Sequence, residues 1–235
     1  RTPSRRPGRK RRSAGTSLKP RISDSFTWPF HGHWQGKWAI GMVMVLLAPF
    51  AFIPLLGYAV HATRSAAGAS SPGPPPWRLS ARLLADGALM SAVLVVTTAP
   101  FAIILFPLAG AFHNPNLWRS TGTLLDVEAY VTAAFIVALP WGALLLLLMP
   151  HATARFAVTQ KARHLFDFGS SIRSVRREFA AWNVAIAAIV TAWAVGLACV
   201  ALLCIGAVPG VFYAILVSAH AAATLHPEGE NPSAG

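Results

Sequence analysis

The chain alternates between long runs without a charged side chain and short stretches where polar and basic residues collect. Four such runs stand out: Trp38–Thr63, Gly87–Leu117, Ala129–Ala154 and Phe179–Pro227. A helix needs about 20 largely apolar residues to cross a hydrocarbon core of roughly 30 Å, so each of the first three is long enough for one crossing. The fourth is too long for a single helix at about 1.5 Å per residue and must fold back on itself. Its natural break is Gly206-Ala-Val-Pro-Gly210, where a proline and two glycines punctuate the run. That predicts segments near 181–205 and 209–225, and five hydrophobic segments in all. A secretory signal fits the basic leader of the first run, but the run exceeds a signal core, holds Pro49 and Pro54, and has no Ala-x-Ala site close behind.

Positive charge, counted by position, bears on how these segments sit. Nine of the twenty Lys and Arg precede residue 22, and Lys37 adds one at the edge of the first run. The connection 64–86 holds Arg64, Arg78 and Arg82, the connection 112–128 holds Arg119, and 151–178 holds six. If every segment crosses once, the two faces carry 11 and 9, which gives no cytoplasmic bias. If Trp38–Val60 instead enters and returns on one face as a re-entrant hairpin, 19 of the 20 share the cytoplasmic face. Such a hairpin has to be buried by other helices. A proline-kinked crossing helix is the alternative, and the two readings stay open here.

The two basic connections resemble each other. Tyr58-Ala59-Val60 matches Phe156-Ala157-Val158, each is followed by a basic loop, and each loop leads into a hydrophobic span. A duplicated unit in one orientation would put both connections on one side. Turned at helical pitch, Trp77–Asp86 separates Arg78, Arg82 and Asp86 from Trp77, Ala81 and Leu84. Ile172–Phe179 likewise sets Arg173, Arg176 and Arg177 against Val175, Phe179 and Trp182. Both read as amphipathic helices in the headgroup layer, with these five arginines toward anionic lipid, or as short helices packed on the end of the bundle.

Composition excludes two classes. Charged residues make up 12% of the chain, against about 25% in a typical soluble domain, and apolar ones 54%. With a mean hydropathy of +0.52, neither an ordinary soluble domain nor a disordered chain fits. The net charge of +12 comes chiefly from residues 1–25, read as a disordered basic tail. Residues 26–225 form one helical membrane domain, and 226–235 a second disordered tail. The basic tail suits an anionic leaflet better than nucleic acid, since no aromatic side chains are interleaved with its charges.

The run Gly57-Tyr58, Arg64, Gly73-Pro-Pro-Pro-Trp77 and Ala85-Asp86-Gly87 resembles an uncharacterised membrane family of archaea and bacteria, domain of unknown function 4013. Pro150–Phe168 and Ile205–His220 are similar to its later blocks, so the resemblance covers about Phe26 to Leu225. Here Pro-Gly-Pro-Pro-Pro-Trp stands where the family pattern carries an acidic residue after its Trp. The resemblance implies an integral membrane helical bundle in a prokaryotic cytoplasmic membrane. It supplies no catalytic or binding residue.

Candidate chemistry is sparse. Of eight histidines, His31 and His33 sit beside the first run, while His61, His151 and His220 lie near segment ends. A histidine facing a bundle interior can ligate a tetrapyrrole, and His220, the deepest, is the candidate for that alternative. No HExxH, CxxC or carboxylate and histidine set points to a metal, and no cofactor is expected. Cys199 and Cys204 lie on different faces of one apolar segment and read as small buried hydrophobes. No ionisable residue falls inside the runs, which argues against a proton-coupled pump. The neutral polar residues Ser91, Thr97, Thr98, Thr132, Asn183, Thr191 and Ser218 read as helix glue. The acidic residues are scattered over different connections and no nucleophile motif appears, so no enzyme is expected. The expectation is an all-α polytopic membrane protein of about five hydrophobic segments, the first re-entrant or kinked, with internal duplication and two interfacial helices. It would act as a scaffold, a lipid-interacting protein or an accessory subunit beside other membrane subunits; a solute or lipid transporter is the alternative. A transporter would bring Thr97, Thr98, Thr132 and Asn183 to a polar cavity, whereas a scaffold would fill that space with Leu, Phe and Trp141.

Overall fold

The computed structural model describes residues 18–68, 73–112, 121–202 and 206–225. Within them the chain forms eight α-helices: α1 (Leu18–Thr27), α2 (Trp34–Leu46), α3 (Ala48–Ala67), α4 (Ala81–Phe112), α5 (Thr121–Thr159), α6 (Phe168–Arg177), α7 (Phe179–Leu202) and α8 (Ala207–Ala223). No strand occurs among the described residues. Helices α4, α5 and α7 contain stretches long and apolar enough to cross a membrane, at Ala81–Ile103, Ala138–Thr159 and Phe179–Cys199; Ala207–Ala223 is a shorter apolar helix. Their outward faces carry large apolar side chains, including Val96, Ile103, Phe135, Leu139 and Leu197. Such a sheath belongs in hydrocarbon rather than water.

The first apolar run does not make one continuous helix. It breaks at Leu47, whose ψ of 15° leaves the helical range between α2 and α3. Pro49 starts α3 within its first turn, where a missing N–H costs nothing, and Pro54 displaces Ala51 from helical geometry one turn earlier. The two arms fold back on each other. The Trp77 indole donates to the Lys37 carbonyl at 3.1 Å and stacks on the Tyr58 ring with centroids 3.8 Å apart. In a single helix, residues 37 and 58 would lie roughly 31 Å apart. A kinked crossing helix is therefore not what this segment forms; both arms of the hairpin have their bases at one end of the molecule.

The run 179–227 folds as a second hairpin. Small residues let its arms approach closely: a Cβ on Gly196 would lie 2.9 Å from the Gly210 carbonyl oxygen, and one on Gly206 would lie 2.5 Å from that of Cys199. Ala192, Ala214 and Val217 continue the seam, followed by Ala188, Ile189 and Ala221. Pro209 and Gly210 fall inside α8 rather than between the helices, because Gly206 is already the N-cap and Pro209 sits in the first turn.

Three expectations need correcting. The basic tail does not extend to residue 25: Leu18–Thr27 is helical, and Ile22 packs against Ile186, Ile189 and Ala221. Residues 1–17 and the C-terminal tail lie outside the described residues. Trp77–Asp86 is not an interfacial helix. Pro75–Ser80 carries no regular structure, and the successive prolines favour extended backbone because each restricts the residue before it. Ser80 instead caps α4, its hydroxyl accepting from the Leu83 amide at 3.2 Å. Arg82 and Asp86 consequently ride on the first turns of a spanning helix. The second predicted amphipathic stretch does form a helix, α6, but Phe179 and Trp182 of its expected apolar face belong to α7. The two connections of the expected duplication are not alike: Tyr58 and Phe156 are both fully buried, but an extended strap follows one and a helix the other.

Candidate functional site

The described contacts converge on one end of the bundle, where the bases of the hairpins, the start of α4 and the end of α5 meet. A strap at Gly73–Trp77 closes the base of the first hairpin. Gly73 takes φ +148°, a region that favours glycine, and a Cβ there would lie 2.5 Å from the His31 carbonyl oxygen. The Lys37 ammonium donates to the Pro74 carbonyl at 2.5 Å. The Tyr58 hydroxyl donates to that of Pro75 at 3.0 Å. Because prolines lack N–H groups but keep their carbonyls, this strap is a row of acceptors, and the hairpin supplies the donors. Phe212 of α8 then joins the Tyr58 and Trp77 rings, with centroids 6.1 and 6.4 Å away, and meets Trp38 edge to face at 5.6 Å. Gly41 leaves room for the same phenyl ring, which a Cβ would overlap. Trp38 donates its own indole N–H to Pro29 at 2.9 Å.

Beyond the rings, α3 and α4 cross at contact distance. A Cβ on Gly57 would overlap the Leu83 carbonyl, and one on Gly87 that of Ile53. Arg64, near the end of α3, pairs with Asp86 at 3.0 Å, and its Nε donates to the Ala157 carbonyl of α5 at 2.6 Å. One guanidinium thus ties three helices. Partial burial strengthens both charge-assisted bonds relative to an exposed pair.

Arg155 of α5 plays a similar part for α6, bonding the Ser170 hydroxyl and lying 3.5 Å from Asp167. Asp167 is the N-cap of α6 and accepts from the Ser170 amide at 3.1 Å. The Ser170 hydroxyl and amide, helped by Arg155 and Arg173, hold the Asp167 carboxyl below its ordinary value of 3.8. Arg176 and Arg177 occupy the last turn of α6, where positive charge complements the helix dipole.

The sequence-predicted site residues divide accordingly. Arg78 and Arg82, and Arg173, Arg176 and Arg177, are all exposed. They stand in two settings: the first pair flanks the start of α4, and the other three share α6. His220 is buried, with its Nδ1 2.8 Å from the Ser25 hydroxyl and its ring 5.1 Å from that of Trp28. The imidazole is thus enclosed by α1 and the turn Trp28–Phe30 that follows it. His31 and His33 are exposed. Among the described residues, no group of three or more His, Cys, Asp or Glu is placed to hold a metal ion. The polar residues that would mark a solute path do not converge. Thr97 and Thr98 bond back to Val93 and Leu94 of their own helix, Trp141 covers the Thr97 carbonyl with a 2.9 Å bond, and Thr132 and Asn183 face outward.

The profile of a family of proteins of unknown function, DUF4013, matches residues 40–217. The chain belongs to the DUF4013 family. No curated protein and no solved structure matches it. The DUF4013 region contains Tyr58, the strap, Trp77, Arg64, Asp86 and Phe212, and begins after Trp28, Phe30, Trp34 and Trp38. The residues that carried the resemblance, Gly57-Tyr58, Arg64, Gly73–Trp77 and Asp86-Gly87, thus belong to a single contact set around the hairpin base. Sequence reasoning missed this clasp. Its signal was the pairing of a Gly-Tyr with a proline run ending in Trp, which reads as a loop when taken alone.

Proposed function

We propose that this DUF4013 protein is a non-enzymatic membrane scaffold, an accessory subunit whose bundle sits in a prokaryotic cytoplasmic membrane with its clasped, basic end at the anionic cytoplasmic leaflet. The observation that carries this reading over a transporter is the fate of the polar residues in the spans. Thr97 and Thr98 are spent on their own helix, Trp141 fills the space beside them, and Thr132 and Asn183 point away. Every contact described at the clasp is a packing or positioning contact: glycines admit backbone, rings stack on rings, and charges end on carbonyls or carboxylates. Arg78, Arg82, Arg173, Arg176 and Arg177 are exposed, suited to anionic headgroups at about 1 kcal/mol per residue.

Purification of the full chain in native lipid, with mass analysis of whatever accompanies it and an absorption spectrum, tests the reading. The scaffold account expects anionic phospholipid and a membrane partner subunit. A Soret or chlorin band would instead return His220 to the role of tetrapyrrole ligand, and saturable solute flux in proteoliposomes would establish the transporter.

A further inference from the structure

Helix α6 is fastened between two helices able to span the membrane. Helix α5 ends at Thr159, α7 begins at Phe179, and Glu178 is the one non-helical residue between α6 and α7. Whatever face of the bilayer these spans emerge on, α6 lies at its surface. Its rotation about its own axis is fixed: Arg155 holds Asp167 and Ser170 on one flank, and Ser171 and Val175 are buried against the bundle. With that roll, Phe168 and Ile172 emerge beside the buried stripe and remain 39% and 43% exposed. Arg176, Arg173 and Arg177 follow around the helix, all exposed. Lys161 and Arg163 lie exposed on the approach to α6, where Phe166 is also uncovered at 53%. A surface helix with an apolar shoulder next to an arginine row matches a bilayer surface, with acyl chains for the shoulder and phosphates for the guanidiniums.

The start of α4 lacks this construction. Arg78 stands in the extended strap, and Arg82 occupies the first turn of a helix that runs on as a span. Leu79 and Leu84 are exposed beside them, but neither arginine belongs to a helix lying along the membrane surface.

We infer that α6 is the anionic-phospholipid site of this protein, taking the headgroup phosphates of lipids in the surrounding bilayer on Arg173, Arg176 and Arg177 while Phe168 and Ile172 enter the acyl boundary. Arg78 and Arg82 contribute only general attraction. The inference rests on the reading above that the clasped end meets an anionic leaflet. It deepens that reading by dividing the five arginines.

The test uses the full chain in nanodiscs of phosphatidylcholine with increasing phosphatidylglycerol, and native mass spectrometry to count retained phosphatidylglycerol. The triple variant R173Q/R176Q/R177Q should lose affinity roughly 100-fold, as three surface arginines at about 1 kcal/mol each imply. R78Q/R82Q should change it by less than about 10-fold. F168S/I172S keeps all the charge and should still weaken retention, which separates a seated helix from a diffuse cloud of counter-ions. Helical circular dichroism checks that each variant is folded. Equal losses in the two arginine variants, or unchanged retention in the triple variant, would overturn the assignment to α6. No preference for phosphatidylglycerol over phosphatidylcholine in the unmodified chain would instead overturn the anionic-leaflet reading on which it rests.

Discussion

The molecule contains two hairpins of apolar helices built on opposite principles. In α7–α8 the arms touch along a seam of mostly small residues, Ala188, Ala192, Ala214 and Ala221 with Ile189 and Val217, and backbone approaches backbone at Gly196 and Gly210. In α2–α3 the arms are held at their base by a third element, the strap, through rings and hydrogen bonds to Tyr58, Lys37 and Trp77. The difference follows from geometry. Arms with small residues at every turn can close by van der Waals contact alone, which is the main attraction available between helices in lipid. Arms of 13 and 20 residues bearing bulky Trp, Met and Phe cannot close that way. Phe212 then links the two solutions, since it stands on the second hairpin and packs into the ring cluster of the first.

Single substitutions should separate the two principles. The largest effect is expected at the seam. Gly196→Leu would drive a side chain into the Gly210 backbone and should cost about 3 kcal/mol or more, read as a lower thermal midpoint in detergent. Next, Trp77→Ala removes the stack on Tyr58 and the bond to Lys37, and should cost about 2–3 kcal/mol given partial exposure of the ring. The distinctive sign is local: hydrogen exchange should rise in α2 and at the start of α3 while α7–α8 stays protected. If exchange rose equally in both hairpins, the clasp would not be a separate device.

Smaller changes sharpen the contrast. Tyr58→Phe keeps the ring and deletes only the bond to Pro75, for a loss of about 1 kcal/mol. Thermal melts of the double variant with Trp77→Ala should then show non-additivity, since the two rings touch. The least effect on the whole fold belongs to Asp167→Ala, which removes the α6 cap and should leave both hairpins intact. This cap also sets a pH response. Because the Asp167 carboxyl is held below 3.8 by Ser170, its stabilisation is complete above that ordinary value and disappears as pH falls through the lower folded value. A spin label at Ser174 should therefore gain mobility in strong acid, and Asp167→Asn should abolish that step.

How much of this was legible in the sequence differs by region for physical reasons. The second hairpin could be read from length alone, since no single helix accommodates 179–227, although its turn lay just before Pro209 because proline is welcome in a first helical turn. The reversal of the first run was visible only through the charge count, and the choice between hairpin and kink needed the contacts of Trp77. Asp86 read as part of an amphipathic stripe and Arg64 as a connection charge, and their pairing across 22 residues has no local signature. The helical stripe at 77–86 misled, because periodicity registers side chains and ignores the cap at Ser80, which starts the helix only at Ala81. The arginines of α6 were legible as an amphipathic pattern; the roll that exposes Phe168 and Ile172 depends on Arg155, which lies twelve residues before the cap at Asp167.

The central claim is that the first apolar run turns back, so that the start of α2, the strap and the connection after α5 share one face of the membrane. The most direct measurement is labelling of single cysteines by a membrane-impermeant maleimide in intact cells and in inverted vesicles. Gln35→Cys, Ser80→Cys and Lys161→Cys would each be placed in a Cys199→Ala/Cys204→Ala background. All three should label in inverted vesicles and stay protected in intact cells. Labelling of Gln35→Cys from the face opposite Ser80→Cys would show that the run crosses once, and would contradict the clasped hairpin.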